Sequence, residues 1–193
     1  MDLRAWGGAR DGAGRKPNGD RAGVSHRARP TLSRHHPVHV TWRMLRHVWN
    51  LRSRRCFTVI AATLLRFRDR ENFRITHFSI QGNHIHLIVE AVDEKALARG
   101  LQGFAVWFAR RLNAVMGRRG KVFADRYHAH QLRSLAEVRN AVRYVIGNFD
   151  EHARRRGETI TRSEPDPSST ANAQEPALVR DAGTWLLRTA APK

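Results

Sequence analysis

Between Val38 and Phe149 the spacing of apolar residues switches repeatedly between two and about 3.6, and that succession of periods restricts the folds open to this chain. Val38, Val40 and Trp42 alternate as in a strand. Residues 53–70 read as an Arg-flanked helix with Phe57, Ile60, Leu64 and Phe67 on one stripe. Phe73 to Ile80 alternates again, Gln81-Gly82-Asn83 supplies turn chemistry, and the chain returns from His84 as a hairpin partner. Asp93 and Glu94 open a long helix in which Leu97, Leu101, Phe104, Phe108, Leu112 and Val115 follow steps of four and three, ended by Gly117 to Gly120. Lys121 to Leu132 is a fourth extended segment. Ser134 and Glu137 then have capping-box spacing ahead of a last helix with Leu135, Val138, Val142, Val145 and Phe149 inward. The order β-α-β-β-α-β-α predicts an α+β fold: a ferredoxin-like, split βαβ antiparallel sheet with two helices on one face, and an additional C-terminal helix that carries Tyr144.

The 193 residues suit one domain with flexible ends. Residues 1–36 are rich in Gly, Arg and Pro and hold eight Lys/Arg against three Asp/Glu, so they read as a disordered basic arm. Residues 37–157 form the folded body, and 158–193 a polar linker and tail in which Thr184 to Arg188 can dock as a short apolar clip. The chain as a whole carries 35 Lys and Arg against 17 Asp and Glu, a formal +18, and +13 of that falls on residues 37–161. A polyanionic partner follows, and nucleic acid is favoured over membrane because no apolar run approaches a spanning length. The single cysteine, Cys56, rules out an internal disulfide and a multi-cysteine zinc site and fits a reducing cytoplasm.

The strand GNHIHLIVE (82–90) separates into two sets. Ile85, Leu87 and Val89 point one way, towards the helices, while His84, His86 and Glu90 point the other, onto a face expected to be open. Imidazoles at i and i+2 lie roughly 7 Å apart at the backbone, close enough to converge on one metal ion that keeps positions for phosphate oxygens. On the last helix Asn140, Tyr144, Asn148 and His152 recur every fourth residue, on the side away from the apolar stripe. A cation and a positive local field both favour the phenolate, so Tyr144 is a candidate nucleophile. A second H-x-H, His128 and His130, follows Tyr127 and is a rival metal site. The pair 84/86 is preferred because a central strand fixes its ligands more rigidly, and Tyr127 is assigned to packing or DNA contact. Arg110, Arg111, Arg118, Arg119, Lys121, Arg126, Arg133, Arg139 and Arg143 surround the proposed site in sequence and suit phosphate contacts.

GNHIHLIVE (82–90), VFADRYH (122–128) and YVIGN (144–148) together resemble the single-tyrosine HUH transposases, most closely the REP-associated tyrosine transposases, over residues 37–157. The resemblance implies a bacterial, nucleoid-associated cytoplasmic enzyme. In it His84, His86 and Asn148 would bind Mg²⁺ or Mn²⁺, and Tyr144 would attack single-stranded DNA beside a hairpin. The products would be a 5′-phosphotyrosyl enzyme and a free 3′-hydroxyl. Single-stranded DNA hairpins are the implied partner, with no membrane and no small-molecule cofactor, and a homodimer is an option. Two other readings stay open. A noncatalytic nucleic-acid-binding module would use the same basic sheet, and a metal-dependent hydrolase would use the same histidines with water as nucleophile.

Overall fold

The computed structural model describes residues 31–155, 166, 168–170 and 178–190, with the backbone alone described for 148–155. The elements run β1 (Val38–Arg43), α1 (Arg54–Phe67), β2 (Asp69–Arg70), β3 (Phe73–Ile80), β4 (His84–Ala91), α2 (Glu94–Val115), β5 (His128–Gln131), α3 (Leu135–Arg155) and α4 (Trp185–Ala190). The strand order β2-β3-β4-β1-β5 is antiparallel throughout. Apart from the two-residue edge β2, this is the ferredoxin-like arrangement. The fourth extended segment is shorter than its sequence suggests: only 128–131 pairs as a strand, and Met44 bridges to Phe123 before it.

Local chemistry starts and stops these elements. Ser53 Oγ accepts from the Cys56 amide at the head of α1, and Asp93 accepts from the Ala96 amide at 2.6 Å to cap α2. Gly117 and Gly120, both at positive φ, carry the chain out of α2. At the head of α3 the Glu137 amide donates to Ser134 Oγ, while the Glu137 carboxylate reaches back to the Arg133 amide.

The two faces of the sheet bury separate cores. Val38, Val40, Trp42, Ile85, Leu87 and Val89 meet α1 and α2 on the first face, with Leu64, Leu101, Phe104, Phe108 and Leu112 opposite them. Leu32, within the stretch that composition assigns to the basic arm, is buried in this core. Residues 1–30 lie outside the described residues.

The second face is not open, contrary to the sequence expectation. Ile88 sits on the same side of β4 as His86 and Glu90, and it packs with Val138, Val142 and Val145 of α3 and Leu187 of α4. An aliphatic side chain between two polar ones needs a cover, and α3 with α4 provides it. The apolar clip at 184–188 accordingly docks as α4. The C-terminal residues also line the outer edge of β3. The Ile80 amide donates to Ser168 O, Thr170 to Phe78 O and Arg180 to Ile75 O, so backbone groups that an edge strand would leave bare are paired. Arg52 clamps this segment with a bidentate ion pair to Asp166, at 2.6 and 2.9 Å.

Candidate functional site

Strand register decides which imidazoles meet. Thr41 of β1 lies directly opposite His86 of β4 and opposite His128 of β5, while His39 faces His130 and Arg43 faces His84. The two H-x-H pairs are therefore not separate sites on distant segments. They flank β1 on one side of the sheet, with His39 and Thr41 between them.

His86 is 4% exposed, and its Nδ1 lies 3.1 Å from both His39 Nε2 and Thr41 Oγ1. The His84 ring stands edge-on to His86 with centroids 4.8 Å apart, and its Nδ1 is 2.7 Å from Asn83 Oδ1, which accepts an Nδ1–H. Burial, and after it the charges of His128 and His130, push the pKa of His39 down to about 4. It is thus neutral at pH 7 and can share a single proton with His86.

Tyr144 of α3 completes the group. Its ring centroid is 5.3 Å from His86 and 6.0 Å from His39, edge-on to both, and the residue is 45% exposed. Sequence spacing places Tyr144 opposite the apolar stripe. In the structure the stripe widens to include Ala141, one turn before Tyr144, so Tyr144 borders the buried side and meets the histidines. Asn148 follows one turn later on the helix, and its side chain lies outside the described residues.

Tyr127 has the opposite setting. Its ring is 5.5 Å from Trp42, edge-on, against the core on the other side of the sheet. The phosphate-contact residues are likewise divided. Arg139 and Arg143 are exposed on α3 with Tyr144, whereas Arg110 and Arg111 lie on α2, which packs on the first face. Arg118, Arg119 and Lys121 occupy the loop after α2, with Arg118 donating to the carbonyls of Arg119 and Lys121. Arg126 and Arg133 bracket β5.

His39, Thr41 and Arg43 are site residues that sequence reasoning missed. The signal was available in VHVTWR, whose alternation assigns Val38, Val40 and Trp42 to the core and the other three to the histidine side. Among the described residues no group of three or more His, Cys, Asp or Glu is arranged to hold a metal ion. Two neighbouring imidazoles, with ring centroids 4.8 Å apart and each Nδ1 within hydrogen-bond distance of another side chain, are of the chemistry expected for two ligands of a metal ion. No helix among the described residues is long and apolar enough to cross a membrane.

No protein-family model matches the sequence, and comparison with curated proteins gives no match. Solved structures do match. A REP-associated tyrosine transposase bound to a REP hairpin is 16% identical, with a TM-score of 0.58 over 76% of this chain and 82% of that one. A Deinococcus radiodurans chain described as a transposase is 10% identical over 70% of this chain and 98% of that one, with a TM-score of 0.41, too loose to carry an argument. The first likeness fixes the architecture: this chain has the fold of a REP-associated tyrosine transposase.

Proposed function

We propose that the protein is a metal-dependent single-stranded DNA transposase that cuts and rejoins DNA beside hairpins through a 5′-phosphotyrosine on Tyr144. The observation that carries this reading is the contact of Tyr144 with His86 and His39, residues far apart in sequence that the fold gathers on one side of the sheet. Mg²⁺ or Mn²⁺, held by His84 and His86 with Asn148 in the third position, would polarise the phosphodiester as a Lewis acid. Tyr144 Oη forms the bond to phosphorus while the bond to O3′ breaks; the phenolic proton is lost and the departing oxygen takes one up. The ester is conserved in the phosphotyrosine, so rejoining needs no nucleotide cofactor. Thr41 and His39 hold His86 through Nδ1 and thereby aim its other ring nitrogen. Arg43, Arg139 and Arg143 supply positive charge beside the tyrosine for the DNA backbone.

Incubation with hairpin-bearing single-stranded DNA and Mn²⁺, followed by denaturing electrophoresis, tests the reading. The wild type forms a covalent adduct and Tyr144→Phe binds the same DNA without forming one. Cleavage by Tyr144→Phe would make water the nucleophile. Binding by the wild type with neither cleavage nor adduct would leave a noncatalytic hairpin-binding protein.

A further inference from the structure

At the end of β4 away from His84, six residues and roughly 20 Å along the strand, a second concave site opens. Its volume is about 520 Å³, and its lining includes Arg34, Arg70, Arg74 and Arg188 together with Trp185. Trp185 is 64% exposed, the most exposed of the large apolar side chains among the described residues. Arg188 lies three residues on, over the same side of α4.

The acidic groups in the site are already matched. Asp69 is paired with Arg180 at 2.8 Å, and the Glu90 carboxylate accepts from the Gly183 and Thr184 amides at 2.8 and 2.7 Å. What faces solvent is therefore an exposed indole in a cavity whose lining also holds the exposed Arg34, Arg70 and Arg188, the Arg70 guanidinium lying 4.9 Å from the centre of the Phe67 ring. An indole left bare in water gains nothing by apolar burial, whereas a base can stack on it and its phosphates can meet the arginines. The +18 net charge of the chain favours a polyanionic occupant, and the exposed indole favours one that carries bases to stack on it.

We propose that this cavity is a second nucleic-acid subsite, in which Trp185 stacks on a base of a single strand and Arg34, Arg70 and Arg188 hold the adjoining phosphates. The assignment rests on the DNA-processing reading above and extends it: the strand that passes Tyr144 crosses the helices that cover this face and is gripped at the far end of β4, about 20 Å from His84.

The test uses fluorescence anisotropy with the full chain and two labelled DNAs: a hairpin with single-stranded flanks of about ten nucleotides, and the same hairpin without flanks. Trp185→Ala weakens binding of the flanked DNA by about fivefold to 150-fold, the range for loss of one base stack, and leaves the flank-free hairpin unchanged. Trp185→Phe, which keeps an aromatic face, retains most of the affinity. Equal losses on both DNAs, or no loss on either, would overturn the subsite. So would binding of free dAMP that Trp185→Ala abolishes while flanked DNA binds as before, since the cavity would then serve a free nucleotide. If the wild type binds neither DNA, the transposase reading itself fails; if it binds flanked DNA and Trp185→Ala binds it equally, only the subsite does.

Discussion

Replacing Glu90 by Gln should release α4 while leaving the sheet intact. Glu90 is 7% exposed and its two oxygens accept three backbone contacts, Gly183 N at 2.8 and 3.1 Å and Thr184 N at 2.7 Å, with Arg74 Nη1 at 3.7 Å. A Gln side chain keeps one acceptor oxygen and turns an NH₂ towards the second amide, so one charge-assisted bond is lost. Such bonds contribute about 1.5–3 kcal/mol. If that loss is confined to docking of α4, the amides of residues 183–190 exchange about tenfold to 150-fold faster by hydrogen–deuterium exchange. Amides in β1 and the centre of β4, supported by the first core, keep their protection. Unchanged exchange at 183–190 would show that Glu90 does not hold α4 in place. Uniform loss across β1 and β4 would show that Glu90 supports the whole fold instead.

Acid should destabilise the protein below pH 6.5. His39 and His77 have pKa values of about 4 in the fold, lowered chiefly by burial, with Glu90 partly opposing the effect at His77. The unfolded chain binds more protons between pH 6.5 and 4, so stability declines as the pH is lowered through that window, by at most about 3 kcal/mol per histidine. Urea unfolding from pH 7.5 to 4 should show the decline, and His77→Gln should reduce its slope; an unchanged slope would contradict the argument. Gly147→Ala should raise the melting temperature, because among the described residues nothing beyond its chain neighbours and the helix's own backbone lies within 4 Å of the added methyl, and Gly inside a helix costs about 1 kcal/mol relative to Ala. A fall in melting temperature would mean that α3 needs its glycine. Replacing His84 and His86 together by Ala should abolish Mn²⁺ binding in calorimetry, while the His128→Ala, His130→Ala double variant retains it; the reverse outcome would move the metal to β5.

The order of elements was legible because each core strand or helix exposes its period in the apolar residues alone, as in Val38-Val40-Trp42 and Leu97 to Leu112. The covered second face was harder to read. Its signal was one residue, Ile88, set between His86 and Glu90, and treating that set as polar hid the seat of α3. The histidine cluster was half legible: a local H-x-H gives 84 and 86, but the partnership with His39 and Thr41 depends on register across β1, which no local spacing encodes. The segment along β3 was illegible for another reason. It is held by backbone hydrogen bonds and by the Arg52–Asp166 pair, neither of which produces an apolar period.

The central claim is that Tyr144, beside His86, is the attacking group. Its most direct test is peptide mapping by mass spectrometry of the adduct formed with hairpin single-stranded DNA and Mn²⁺. Arg143 precedes the tyrosine, so trypsin releases a peptide that begins at Tyr144. The account predicts a 5′-phosphodeoxynucleotide on that tyrosine and an unaltered adduct yield in Tyr127→Phe. A nucleotide mapped to Tyr127, or DNA cut with no nucleotide on any tyrosine, would contradict it.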